Sequence, residues 1–226
     1  MDPTPINLLQ DVVPESIIIW GAGGHARVVA DIIRRVGELT VAGFIDDVHP
    51  ERAGECFEGA QILGARDALG PAHANGVSRL IVAFGNGDAR ADAARFAIES
   101  GFVLASAVHP SAVIAASATI GAGTVIAANV VVNPATTIGE NVILNTSCSV
   151  DHDCSVGSFA HVAPGARLAG YVRVGDGSWV GIGAVVTDGR SIGARSIIGA
   201  GAVVVSDIPD GVVAYGVPAR VMRRNA

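Results

Sequence analysis

From Ile114 to Val204 every sixth residue is Leu, Ile or Val, sixteen positions without a break, and Val108 extends the series backwards. A helix repeats near 3.6 and a flat strand at 2, so neither alone generates a period of six. Two residues before these aliphatics sits a smaller or β-branched side chain: Ala118, Thr124, Val130, Thr136, Val142, Cys148, Cys154, Ala160, Ala166, Val172, Ser178 and Ala184, with Arg190 the misfit. One residue after them Gly recurs at 121, 139, 157, 175, 181, 193 and 199, where a tight corner is expected to use its wide φ range. One large inward aliphatic, one small inward partner and a turn describe one side of a triangular coil. Three hexads close the coil, and coils stacked at roughly 4.8 Å give a solenoid of about five turns.

The residues before the solenoid have another pattern. Ser16 to Trp20 reads as a buried strand running into Gly21-Ala22-Gly23-Gly24-His25, then a helix with Val28, Val29, Ile32, Ile33 and Val36 on one face and Gly37 at its end. Strands follow at 39–45, ending in Asp46-Asp47, and at 79–84, ending in Gly85-Asn86-Gly87. A helix near 89–100 and a strand from Phe102 complete the unit. The expected fold class is an α/β N-terminal βαβ (half-Rossmann-like) domain at 16–107, a parallel β-helix at 108–206 and a closing segment at 207–226, after a loose tail at 1–15. Half the residues are apolar, enough to bury two small cores.

A glycine loop leading into a helix lets backbone N–H groups approach a pyrophosphate. Asp46 or Asp47, at the end of the next strand, would accept from a ribose hydroxyl or a base. The Gly21-x-Gly23-x-x-Ala26 spacing also satisfies a dinucleotide fingerprint, the one feature behind a nicotinamide-dependent oxidoreductase. About 90 residues ahead of the solenoid supply only one mononucleotide half of that fold.

A net charge of −6 and the lack of any Lys/Arg run argue against nucleic acid or an anionic membrane as partner. No stretch of 18 apolar residues signals a transmembrane helix, and Met1–Glu15 resembles neither a signal peptide nor an anchor. Cys56, Cys148 and Cys154 form an odd, sparse set, expected as buried small hydrophobes in a reducing, cytoplasmic compartment.

The solenoid's most polar interruption is Asn145-Thr146-Ser147 followed by Asp151-His152-Asp153-Cys154. Attack of an amine or hydroxyl on a thioester needs a base, and an imidazole suits neutral pH, so His152 is the candidate. A carboxylate on the other ring nitrogen would fix its tautomer, and spacing leaves Asp151 and Asp153 both open. Cys148 and Cys154 occupy inward repeat positions, so no zinc site with His152, and no metal, is expected. A purely scaffolding β-helix would have no use for this polar break.

The unbroken hexads resemble the hexapeptide-repeat acyltransferases. GAGGHARVVAD, FIDD, FGN-x-x-x-R ending at Arg90, AVHPSA, and Asn145 to Cys154 narrow the resemblance to sugar acetyltransferases of bacterial polysaccharide biosynthesis. These are the N-acetyltransferases of UDP-linked 4-amino-4,6-dideoxy sugars, the GDP-perosamine N-acetyltransferases and the sialic acid O-acetyltransferases. The resemblance implies a left-handed parallel β-helix, a homotrimer and acetyl-CoA as cosubstrate, with coenzyme A in the groove between adjacent prisms. It further implies a nucleotide-linked amino sugar, UDP preferred over GDP or dTDP, held by Gly23, His25, Asp46, Asp47, Asn86 and Arg90. On its pattern Asp153 orients His152, Asn145 contributes at the acceptor, His161 lies along the CoA arm, and the Gly170 N–H faces the thioester carbonyl. Gly181, Gly183 and Gly199 would leave room and N–H groups for pantetheine, while the segment carrying Pro218 and Arg220 packs near the adenine. Asp188 departs from the family, many members carrying Pro there. The alternative acceptor is the hydroxyl of a sialic-acid-like sugar.

Overall fold

The computed structural model describes residues 15–225, so the expected tail lies outside it except for Glu15, which opens the first strand. The α/β unit runs β1 (Glu15–Trp20), α1 (Gly24–Val36), β2 (Leu39–Ile45), β3 (Cys56–Phe57), β4 (Ala60–Gly64), α2 (Leu69–Ala74), β5 (Arg79–Val82), α3 (Gly87–Glu99) and β6 (Val103–Leu104). The sheet order is β3-β4-β2-β1-β5-β6, parallel except for the β3–β4 hairpin. Ile17, Ile18, Ile19 and Trp20 are all buried because β1 is central and covered on both faces, the reason it reads as an unbroken apolar run. α1 buries Ala26, Val29, Ala30, Ile32 and Ile33; Val28 and Val36, expected on that face, are exposed, and the two alanines bring the helix close instead. Gly37 ends it at φ 75° with its N–H on the Ile33 carbonyl. The β3–β4 hairpin and α2 carry elements too short for periodicity to mark.

Residues 107–204 form a left-handed parallel β-helix of two-residue strands in three sheets, and the longer strands Val212–Tyr215 and Arg220–Arg224, antiparallel to each other, close it. Each strand pairs with the one 18 residues on: Val125-Ile126 takes Ala107-Val108 before it and Ile143-Leu144 after it. The inward aliphatics from Ile126 to Val204 are 0–3% exposed, so the sequence period is the core. Cys148 and Cys154 point into it, and burial pushes the Cys148 thiol up to about 12. Cys56 is exposed, against expectation.

The recurrent glycines have a different reason from the one expected. The left-handed residue of each corner lies three positions after the aliphatic, at Asn129, Ala135, Asn141, Ser147, Asp153, Phe159 and Tyr171 among others. Glycine one position after the aliphatic answers to close stacking: a Cβ at Gly181 would sit 2.5 Å from the Ile198 carbonyl oxygen of the next coil.

Three faces follow from the closure. The first carries Val125-Ile126, Ile143-Leu144, His161-Val162 and Trp179-Val180; the second carries Ser149-Val150 and Arg167-Leu168; the third carries Ser155-Val156 and Arg173-Val174. The α/β unit sits on the first face, where Ala107, Val125 and Ile143 join the α1 core. Arg90 of α3 fastens the seam. Its side chain is fully buried, and its five N–H donors reach five carbonyls at 2.5–3.3 Å: Phe84 and Gly85 in the α/β unit, Asn141, Phe159 and Ala160 in the solenoid. Burial lowers its pKa to about 10, which leaves it charged at neutral pH and facing carbonyl dipoles. Arg90→Met fills similar space but takes the donor from the Phe84, Gly85, Asn141 and Phe159 carbonyls, and is expected to lower stability by about 2–4 kcal/mol in urea unfolding. A loss within a few tenths would show that the seam does not depend on it.

Candidate active site

Two groups of candidate side chains emerge, on different sides of the solenoid. The first surrounds a cleft of about 840 Å³ at the C-terminal ends of β1, β2 and β5, where the strand order changes direction. Gly21 turns the chain out of β1 at φ 131°, where a Cβ would lie 2.8 Å from the Ala83 carbonyl oxygen. Gly23 is the N-cap of α1 and offers no side-chain cap, so the positive end of the helix opens into the cleft.

His25, Asp46, Asp47 and Asn86 also line the cleft. The Asp46 carboxylate is buried and accepts from the Val48 and His49 N–H groups and from Arg52 at 2.9 Å. Asp47 accepts from the Arg66 backbone N–H at 2.7 Å and from its guanidinium at 2.8 and 3.1 Å. Both carboxylates therefore hold cationic walls as well as facing the ligand space. Arg52 and Arg66, which the sequence did not single out, are the cleft's two arginines; Arg66 also lies over the Trp20 and Phe96 rings. Asn86 caps α3 by accepting from the Ala89 N–H at 2.9 Å, which leaves its amide N–H groups available. Burial, and after it the Arg90 charge, pulls His25 down to about 4, so the ring is neutral. Arg90, expected at the nucleotide, is not in the cleft: all its donors are spent on the seam carbonyls.

Below the cleft, His161 is buried on the first face, against Trp179 at 4.5 Å between ring centres. Its Nε2 accepts from the Asn145 amide at 3.2 Å, which places the proton on Nδ1, the atom nearest Gly85. Burial, with smaller contributions from His25 and Arg90, pushes its pKa down to about 3.

His152 occupies the corner between the second and third faces, away from the α/β unit. Its Nδ1 lies 2.8 Å from Asp153 Oδ2, and Asp153 is the left-handed residue of that corner at φ 57°. Asp151 is engaged elsewhere: its Oδ1 accepts from the His152 backbone N–H and from Asn133, both at 2.8 Å. The geometry therefore selects Asp153 as the carboxylate on the ring. Gly170 lies against the ring's other side, where a Cβ would come within 2.7 Å of Cε1 and 2.9 Å of Nε2, so only glycine leaves this nitrogen clear. The Tyr171 ring meets His152 edge-on at 5.2 Å. The Asp153 hydrogen bond, and after it the charges of Asp151, Asp153 and Asp188, raise the His152 pKa. The Gly170 N–H, expected to face a thioester carbonyl, donates here to Asp188 Oδ1 at 3.1 Å.

The N–H groups of Gly181, Gly183 and Gly199 are not free donors, since they bond the carbonyls of Ile198, Pro164 and Ala214 within the coil ladder. Pro218 lies in the exposed turn between the antiparallel strands Val212–Tyr215 and Arg220–Arg224, whose arginines are exposed.

Residues 16–95 match the family described as the PglD N-terminal domain. Over 92% of this chain and 97% of the other, the structure superimposes on PerB, a perosamine N-acetyltransferase from Caulobacter crescentus solved with CoA and GDP-perosamine, at a TM-score of 0.88 and 42% identity. It is also similar to the acetyltransferase domain of PglB from Neisseria gonorrhoeae in complex with acetyl coenzyme A, with TM-score 0.85, 36% identity, and coverage of 93% of this chain and all of that one. A third likeness is WeeI from Acinetobacter baumannii, with TM-score 0.82 and 25% identity over 92% of this chain and all of the other. The chain belongs to the hexapeptide-repeat sugar N-acetyltransferase family.

An NMR titration of the His152 ring should give a midpoint above its ordinary 6.5. Asp153 stabilises the imidazolium, so Asp153→Asn should move that midpoint down, toward lower pH. An unmoved midpoint would mean that the hydrogen bond does not set the proton affinity of the ring.

Proposed function

We propose that the protein is an acetyl-CoA-dependent N-acetyltransferase acting on the 4-amino group of a nucleotide-linked 4-amino-4,6-dideoxy sugar. The His152–Asp153 pair, with the Nε2 face kept clear by Gly170, is the observation that carries this reading. In the proposed reaction the sugar amine attacks the thioester carbonyl, Nε2 takes the proton, and Asp153 stabilises the imidazolium. The tetrahedral intermediate's oxyanion is stabilised at the Gly170 N–H, and collapse expels the CoA thiolate, which takes the proton back from His152. Cys148 and Cys154 are core residues, so no acyl-enzyme is invoked.

The cleft suits a nucleoside diphosphate: an open helix N-terminus and two arginines for the pyrophosphate, carboxylates for hydroxyl or base donors, and Trp20 at the wall. The family resemblance favours uridine, whereas 42% identity to an enzyme solved with GDP-perosamine favours guanosine, which we take as the preferred base. Cleft and base lie on different sides of one prism, so a complete site is assembled when the His152 corner of one chain meets the cleft of another, as a homotrimer of side-by-side prisms would arrange. On this reading coenzyme A lies in the groove between prisms, with His161 along its arm, Asn145 at the acceptor, and Pro218 and Arg220 toward the adenine end. Three unpaired cysteines, one of them exposed, fit a cytoplasmic setting.

Thiol release from acetyl-CoA, measured against GDP-, UDP- and dTDP-linked 4-amino-6-deoxy sugars, tests the reading. Turnover on one nucleotide series is expected, with His152→Ala losing about 10²–10⁴-fold in rate while keeping its oligomeric state. Turnover only on a hydroxyl acceptor such as a sialic acid, or a His152→Ala enzyme at near wild-type rate, would overturn it.

A further inference from the structure

The Gly170 N–H is the donor that the proposed reaction assigns to the oxyanion, and in this chain a carboxylate already occupies it: Asp188 Oδ1, 3.1 Å away. The same contact recurs at another corner, where the Glu140 N–H donates to Ser158 Oγ at 3.1 Å and the Ser158 N–H to Asp176 Oδ1 at 2.9 Å, each partner 18 residues on. No reacting group faces that corner, so there the contact is a staple between coils. At Gly170 the same staple lies beside the His152 ring, on the side of its free nitrogen.

One N–H cannot serve a carboxylate and a developing oxyanion together, and two anions close to one another oppose the charge that the transition state must build. The carboxylate must therefore leave before the thioester carbonyl can be polarised. Asp188 is exposed, so its side chain has solvent to turn into. Arg190 stands beside it, its Nε bonded to the Asp188 carbonyl at 3.1 Å, and offers the displaced carboxylate a cationic partner. This also gives a use to the one large polar residue in the column of small inward positions.

We propose that Asp188 is a displaceable occupant of the acyl site, holding the Gly170 N–H until an acyl thioester takes it over, and so a positioning residue that competes with the thioester and not with free CoA. The inference rests on the proposed function, because it needs acetyl-CoA to be the ligand. Free CoA has no carbonyl to compete for this N–H. Removing the carboxylate should therefore tighten acetyl-CoA and leave CoA almost unchanged.

Calorimetry of acetyl-CoA and of CoA on wild type, Asp188→Ala and Asp188→Asn decides it, with melting temperatures recorded alongside. Asp188→Ala is expected to bind acetyl-CoA about threefold to tenfold more tightly with CoA within twofold of wild type. Asp188→Asn, which keeps an acceptor but no charge, should fall between. Equal shifts for both ligands, no shift in either, or weaker acetyl-CoA binding would overturn the proposal and leave Asp188 a coil staple, whatever the change in melting temperature. Wild-type protein that bound neither ligand would remove the proposed function itself, and the Asp188 inference with it.

Discussion

A coil that closes every 18 residues assigns each side chain to a face or a corner, and most of the site's logic follows from that assignment. His161 and Trp179 are the outward residues of first-face strands; the α/β unit buries His161 and leaves Trp179 partly open, whereas His152 falls at the opposite corner, where none of the described residues covers it. The groups that perturb His152 are Asp151, Asp153 and Asp188, all from the solenoid, whereas those that perturb His161 are His25 and Arg90 of the α/β unit. One repeat thus presents two histidines with opposite electrostatics: one exposed and held toward its cationic form, one buried and neutral.

Arg90 links the two halves with a full set of hydrogen bonds and no counter-ion. Five carbonyl dipoles disperse the charge; the Ala160 carbonyl also accepts from the Ile143 N–H, while the other four look to Arg90 for their donor. Since two of them belong to Phe84 and Gly85, the same contact fixes the loop that borders the cleft. Cleft geometry and solenoid register are mechanically one object.

Much of this was legible in the sequence because both regular patterns are long. Sixteen hexads leave no competing period, and the buried SIIIW strand, the glycine loop and Gly37 mark the first βα unit. What escaped was set by partners far along the chain. The recurrent glycines look like turn residues in the sequence, whereas their constraint is a neighbouring coil 18 residues on; the residue that takes positive φ is often Asn, Ser, Asp or an aromatic, which no glycine count can find. Arg90 sits in a motif that suggested ligand binding, and only its burial against the solenoid shows otherwise. Arg52 and Arg66 lie in a stretch of strands and turns too short for periodicity to organise. Asp188 was visible as a departure, but its contact with Gly170 spans one full coil and needed the fold to be seen.

The central claim is that cleft and base come from different chains, and complementation tests it most directly. Gly23→Phe fills the cleft mouth at a position where a Cβ meets no neighbour within 4 Å, and His152→Ala removes the proposed base. Each variant alone should be nearly inactive. Co-expressed in equal amounts, the two should form mixed trimers in which about a quarter of the sites pair an intact cleft with an intact base, restoring about a quarter of wild-type turnover. Mixed assemblies as inactive as either parent would contradict the account and place the whole reaction within a single chain.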